Sequence, residues 1–230
     1  MAFLVWFGSA RGDQLVTVDR ASYFTWRATA PAPEGPWTVA VGEDRVLPPG
    51  AAGAWDDETA AVSSVLAEGS GFALWYEGQR AGRSIRGGIG YASSADGVTW
   101  VRYDDPTTDT AGDPTLHTEG DPVLGPGACG PATAAAALEP QVWPRGDGYL
   151  MLFGGSAGLD GQPDVLGATS DDGVHWSCTG QVLLRAADIP GSEGIHTIQG
   201  ATLDGEPVIL VESLTAGGSE IWLATVSVGP

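Results

Sequence analysis

Short apolar runs separated by turn residues make up most of the chain. The stretch "AVSSVLAEG" (61–69) ends at a glycine, "FALWYEG" (72–78) is almost wholly apolar, and "GGIGYASS" (87–94) alternates small with apolar residues. A closing run, "TWVRY" (99–103), follows the Asp-Gly pair of "SADGVTW". Runs of this length bounded by Gly and Asp-Gly predict short antiparallel β-strands joined by tight turns.

This pattern repeats along the sequence. Residues 44–78 align without a gap on residues 121–155, and "SADGVTW" (94–100) returns as "SDDGVHW" (170–176). Partial copies begin at "FLVWFGS" and end at "IWLATVS". Four-stranded units repeated in this way are typical of β-propeller blades, whereas a β-sandwich would need the similarity to be coincidental.

We place the blade units of a single domain, residues 1–230, at 1–43, 44–120, 121–194 and 195–230. The first unit begins at its second strand and the last stops after its third, which gives about fourteen strands where a closed propeller needs sixteen or more. The interpretation favoured here is a missing N-terminal segment. The alternative is an open ring that self-associates to complete the propeller.

Composition and charge narrow the function. The chain is 43% hydrophobic, rich in Gly (35) and Pro (16), and carries a net charge of −19, with arginine as its only strong base. Such a surface repels phosphate and anionic lipid, so we expect no nucleic-acid or membrane partner. No apolar stretch is long enough for a membrane span. Cys129 and Cys178 are expected to be isolated buried thiols, with a single disulfide as the alternative.

Several phrases resemble the five-bladed propellers of the family 43 and family 32 glycoside hydrolases. They are "FALWYEG", "GYASSADGVTW" and "DPVLGPG", repeated as "YLMLFGG", "GATSDDGVHW" and "QVLL". The resemblance implies an all-β, five-bladed type of propeller with about four blades represented. It also implies catalysis by paired carboxyl groups at the mouth of the central channel.

The resemblance identifies Glu139, in "LEPQVWPRGDGYLMLF", as the general acid, and its apolar neighbours would raise its pKa. The family's base or nucleophile lies on the first blade's inner strand, which this chain lacks. Ser64 stands where a further Asp would orient the acid. Asp56 and Asp57 are candidates at the channel mouth, although a solvated acidic turn is the expectation favoured for them. On this count the chain looks hydrolytically incomplete.

Other candidates come from the same resemblance. A calcium ion in the channel would use His196, whose alternative role is structural; otherwise no cofactor is required. Glu193 and Glu212 are further candidates for the channel. Trp55 and Trp143 would stack on sugar rings. Because one active site needs its residues only once, the recurring tryptophans are assigned to packing: Trp26, Trp100 and Trp176.

Three functions follow. The first is a glycosidase-like propeller that acts on or binds an oligosaccharide or polysaccharide. The second is a non-catalytic carbohydrate-binding or scaffold propeller. The third is a sialidase-like propeller, disfavoured because Arg80, Arg83 and Arg86 lie in one loop instead of on separate blades. Localisation stays open: secreted or periplasmic if an N-terminal segment is missing, and cytoplasmic otherwise.

Overall fold

The protein is almost entirely β-structure. The computed structural model describes residues 3–10, 23–39, 46–80, 87–105, 120–158 and 162–225. Strands account for 61% of the structure and helices for 4%, the latter being short 3₁₀ turns at Gly130–Thr133 and Ala186–Asp188. Within those ranges, no helix has the length and apolarity to span a bilayer. The predicted all-β class is therefore confirmed.

The first sheet has eight strands. Its main path runs β1-β2-β4-β5-β6-β7, while β3 pairs with β2 and β8 pairs with β6. The strands are β1 (Phe3–Ala10), β2 (Tyr23–Ala30), β3 (Thr38–Val39), β4 (Thr59–Glu68), β5 (Gly71–Gln79), β6 (Gly87–Ser94), β7 (Val101–Arg102) and β8 (Pro122–Leu124).

Two predicted units share this sheet. The antiparallel hairpin β1–β2 meets β4 through one parallel pair, Phe24 with Ala60. Strand β8 also pairs with β6, although the repeat alignment assigned its residues to the following unit. Since β7 pairs with the other half of β6, β7 and β8 together form one interrupted outer strand.

The second and third sheets are antiparallel meanders. The second has the order β12-β11-β10-β9, and the third has the order β13-β14-β15. Their strands are β9 (Ala136–Arg145), β10 (Gly148–Ser156), β11 (Asp164–Ser170), β12 (Ser177–Leu184), β13 (Gly194–Leu203), β14 (Glu206–Thr215) and β15 (Gly218–Thr225).

The second sheet is buried on both faces. Along β10, Met151 and Phe153 pack towards the first sheet, and Leu150 and Leu152 pack towards the third. Because successive side chains of a strand point to opposite faces, a strand with apolar neighbours on both sides needs an unbroken apolar run. This placement explains why "YLMLF" is apolar at every position.

The repeated Asp-Gly phrase builds a local turn. The Oδ1 atom of Asp96 accepts hydrogen bonds from the backbone N–H groups of Val98 and Thr99, both at 2.8 Å. Asp172 makes the matching bonds to Val174 and His175 in the second copy. These bonds lower the pKa of Asp96, since they stabilise its ionised form. Both aspartates therefore serve the architecture, as the repeat predicted.

One expectation was wrong: the two cysteines are not isolated thiols. Cys129 and Cys178 form a disulfide with a Cα–Cα distance of 5.6 Å. It joins the loop before β9 to the outer strand β12 of the same sheet. The sequence left this pairing as the less favoured alternative because two cysteines 49 residues apart carry no motif.

Candidate active site

A cleft of about 560 Å³ opens where strands of the three sheets meet. Its walls come from β4, β9 and β13, with Glu77 of β5 and Trp6 of β1 at its sides. The inner strands of a propeller surround its central channel. The cleft therefore occupies the place where the resemblance puts the catalytic carboxyl groups.

Glu139 lies in this cleft at an irregular point of β9. Glu139 and Pro140 together oppose the single residue Phe153, and Glu139 has a positive φ of 52°. A non-glycine residue in this conformation is uncommon, and such strain concentrates at functional sites. The bulge turns Glu139 from the regular strand direction towards β13.

Both carboxyl oxygens of Glu139 are held by β13. The Thr197 hydroxyl donates to Oε1 at 2.6 Å, and the Ile198 N–H donates to Oε2 at 3.0 Å. Burial raises the pKa of Glu139 above its ordinary value, while these hydrogen bonds and nearby His196 oppose the rise. The group is thus fixed in position with an enhanced tendency to hold a proton.

Glu77 is a second acid in the cleft, and the sequence analysis missed it. Gln79 Nε2 donates to Glu77 Oε1 at 2.5 Å, and the backbone N–H of Glu139 donates to the same carboxyl group. Burial, reinforced by the negative charge of Glu139, raises the pKa of Glu77 to about 7. The available signal was a single acid near the end of the apolar run "FALWYEG", where the second copy has Gly154.

His196, which is exposed, and Glu212, which is half-buried, form a pair beside the cleft. Their side chains are 2.9 Å apart, between Nδ1 and Oε2, and the His196 side chain is 62% exposed. The hydrogen bond from His196 lowers the pKa of Glu212. Among the residues described, no three His, Cys, Asp or Glu side chains cluster closely enough to hold a metal ion. The described residues therefore do not form the expected calcium site.

Ser64 lies at the junction of two inner strands. Its Oγ accepts a hydrogen bond from the Val142 N–H at 3.1 Å and lies 3.4 Å from the Val142 carbonyl oxygen. The cleft wall is formed by the preceding residue, Ser63, since β4 has a register shift between Val62 and Ser64. The structure thus places Ser64 in contact with β9 and not among the residues that line the cleft.

Asp56 is buried instead of lying in the expected solvated turn. Its Oδ2 accepts hydrogen bonds from Arg102 Nε at 3.0 Å and from the Tyr76 hydroxyl at 2.9 Å. Asp57 Oδ2 accepts a bond from the Gly53 N–H at 2.7 Å. Neither aspartate is among the residues that line the cleft. Their contacts indicate support for the loop before β4.

Both tryptophans proposed for sugar stacking are engaged in packing. Trp55 stacks on Tyr76 with ring centroids 5.7 Å apart, and its indole N–H donates to the Gly120 carbonyl. Trp143 is buried between the second and third sheets and donates to the Ala201 carbonyl. The indole that does line the cleft belongs to Trp6.

The remaining candidates lie elsewhere. Glu193 borders β13, where its backbone N–H donates to the Leu214 carbonyl. Arg83 and Arg86, named for the sialidase alternative, fall outside the described residues. Of the sequence-derived candidates, the structure brings Glu139 and His196 together in the cleft, with Glu212 bonded to the histidine.

Comparison with known proteins gives no match to a protein-family model or to a curated sequence. Solved structures do match. A GH32 β-fructofuranosidase from Bombyx mori is 17% identical, with a TM-score of 0.60 over 93% of this chain and 39% of that one. A fructan 1-exohydrolase from Cichorium intybus, in complex with 1-kestose, is 15% identical, with a TM-score of 0.63 over 97% and 40%.

A thermostable family-43 glycoside hydrolase matches over the full length of this chain and 73% of its own, at 11% identity and a TM-score of 0.59. The chain has the β-propeller fold of these glycoside hydrolases. The predicted fold class is thereby confirmed. This propeller spans about two fifths of the length of the family 32 structures, and identities this low carry the fold alone.

Proposed function

We propose that this propeller binds an oligosaccharide or polysaccharide in the cleft and hydrolyses a glycosidic bond, with Glu139 as the general acid. The observation that carries the proposal is the placement of Glu139: a strained, single-copy carboxyl group in the cleft between the inner strands. The fold supports it, because glycosidases with this fold include a β-fructofuranosidase studied in complex with sucrose.

The environment of Glu139 suits proton donation. A general acid needs a raised pKa, and burial raises the pKa of Glu139 above its ordinary value. The fixed orientation from Thr197 and Ile198 would hold the proton-bearing oxygen towards a bound sugar. The net charge of −19 disfavours anionic polysaccharides, so we expect the substrate to be neutral.

A panel of aryl glycosides, including arabinofuranosides, together with sucrose and 1-kestose tests this proposal. We expect turnover of at least one substrate by the wild-type protein and by the exposed control Glu206→Gln. The variant Glu139→Gln should lose about 10²–10⁴-fold in kcat/KM. Saturable sugar binding without turnover would instead favour the carbohydrate-binding alternative.

Self-association is a second element of the proposal. Along β15, Trp222 and Ala224 pack inwards, while Ile221 and Leu223 remain 67% and 55% exposed. The exposed side chain of Leu210 on β14 pairs in register with Leu223 and extends this apolar face. We infer that a second copy of the chain covers this apolar face.

Sedimentation should then show a concentration-dependent dimer that Leu223→Lys abolishes. A monomer at all concentrations would refute the self-association.

A further inference from the structure

Two carboxyl groups from different sheets meet in the cleft. Glu77 comes from the end of β5 in the first sheet, and Glu139 comes from the bulge of β9 in the second. Both line the same cleft, and the backbone N–H of Glu139 donates to the Glu77 carboxyl group. We propose that Glu77 is the second catalytic carboxyl group of this site and shares a single proton with Glu139. This inference rests on the function proposed above.

The bulge at Glu139 creates the pairing. At a φ of 52°, the backbone of Glu139 directs its N–H to Glu77 while its side chain reaches Thr197 and Ile198 on β13. A bulge leaves its extra residue out of the regular ladder, so the backbone N–H of that residue can point to another partner. The strained conformation therefore places the backbone of Glu139 at Glu77 and its side chain at β13.

Gln79 fixes the other side of Glu77. Its Nε2 donates to Glu77 Oε1 at 2.5 Å from two residues further along β5. Together with the Glu139 N–H, this gives the Glu77 carboxylate two hydrogen-bond donors. Both donors favour the ionised form, which a general base must adopt to accept a proton.

The charges around Glu77 and Glu139 favour a state in which the two carboxyl groups together hold one proton. The other titratable side chains at the cleft are His196 on β13 and Glu212 on β14, which bond to each other. Of the described residues that line the cleft, His196 is the only one with a basic side chain, so no arginine lines the cleft beside Glu77 and Glu139. Burial and the charge of Glu139 raise the pKa of Glu77 to about 7, so the second ionisation of the pair is delayed.

This arrangement divides the reaction between the two groups. In the state that has the shared proton on Glu139, this group donates it to the leaving oxygen as the bond from that oxygen to the anomeric carbon breaks. The Glu77 carboxylate removes a proton from water as the water oxygen bonds to the same carbon. The proton count of the pair is unchanged, because the proton ends on Glu77 and returns to Glu139 through solvent. The raised pKa of Glu77 makes it a stronger base than an ordinary carboxylate.

Activity measurements on the substrate identified from the panel test the role of Glu77. We expect Glu77→Gln to lower kcat/KM at least about 10²-fold, and Glu206→Gln, which removes one exposed carboxylate, to leave it unchanged. The wild-type rate should fall above about pH 7 as the pair loses its last proton. The variant Gln79→Leu removes a donor to ionised Glu77 and should move this alkaline limb to higher pH. An active Glu77→Gln with an unchanged pH profile would overturn the inference while leaving the proposed function intact.

A titration that needs no substrate tests the shared proton. Carbon-13 NMR of labelled glutamate carboxyl groups should show one group titrating near pH 7 in the wild-type protein. In Glu139→Gln, that titration should shift to lower pH, since the neighbouring charge is gone. A Glu77 titration unaffected by Glu139→Gln would refute the pair. Absence of turnover by the wild-type protein on every substrate would refute the proposed function instead.

Discussion

The indole N–H of Trp75 donates a 2.8 Å hydrogen bond to the backbone carbonyl of Gly173 in the next sheet. The same bond joins Trp6 to Gly97, at 3.1 Å. In both cases a strand tryptophan contacts the Asp-Gly turn of the following repeat unit. The repeated phrase thus supplies an acceptor to its neighbour as well as closing its own turn.

The contact at Gly173 predicts a larger loss of stability for Gly173→Ala than for Gly180→Ala. Gly173 has a φ of +81°, and an added Cβ would lie 3.0 Å from the Trp75 ring. Gly180 has a similar φ of +75° with nothing within 4 Å. Both alanine variants should lose about 1–2 kcal/mol from the left-handed backbone. Gly173→Ala should lose about 1 kcal/mol more through crowding of Trp75, as measured by urea unfolding. Equal losses would show that this seam tolerates the extra methyl group.

Asp56 should be a stability residue. The variant Asp56→Asn leaves the Arg102 guanidinium without its buried carboxylate partner, which should cost about 3–5 kcal/mol. Asp57→Asn keeps an oxygen acceptor for the Gly53 N–H and should cost less than about 1 kcal/mol. Chemical denaturation measures both. A folded Asp56→Asn of normal stability that has lost turnover would instead place Asp56 in the chemistry.

The disulfide should contribute strongly to stability. Cys129 and Cys178 close a loop with a sequence separation of 49 residues, for which chain entropy predicts about 4 kcal/mol. We expect the double variant Cys129→Ser/Cys178→Ser to unfold at correspondingly lower urea concentration. Reductant should lower the midpoint of the wild-type protein and leave that of the double variant unchanged. A reductant-insensitive wild-type midpoint would contradict the prediction.

Glu77 should make the protein less stable as the pH rises. Its pKa increases from 4.5 to about 7 on folding, so its contribution is fully present below about pH 4.5 and is lost as the pH rises through 7. The free energy of unfolding of Glu77→Gln, relative to the wild-type protein, should therefore increase by up to about 3 kcal/mol between pH 4.5 and 8. A difference that does not vary with pH would mean that Glu77 ionises normally in the folded state.

The sequence predicted features that repeat and features that carry a family motif. Asp96 recurs as Asp172, so the structural role of this turn could be inferred from the repeated phrase. Glu139 could be named because its surrounding phrase resembles a known motif, and the structure places it in the cleft. Its catalytic role remains a prediction.

The sequence did not predict relationships that depend on local irregularity or on distant partners. The proximity of Glu77 to Glu139 arises from the bulge in β9, which leaves no periodic signal. Asp56 appeared solvated because its partner, Arg102, lies 46 residues away. The partners of isolated acids and cysteines are distant in sequence, so they become visible only in the folded structure.

The side chain of Glu139, which we assign as the acid, also connects the second sheet to the third. Glu139 belongs to the second sheet but is oriented by hydrogen-bond donors on the third. The orientation of its carboxyl group therefore depends on the packing of the third sheet against the second. Warming that loosens this packing would misalign the acid while the rest of the chain stays folded. We therefore expect turnover to decline at a lower temperature than the loss of near-ultraviolet circular dichroism. Coincident transitions would show that the two sheets separate only when the whole propeller melts.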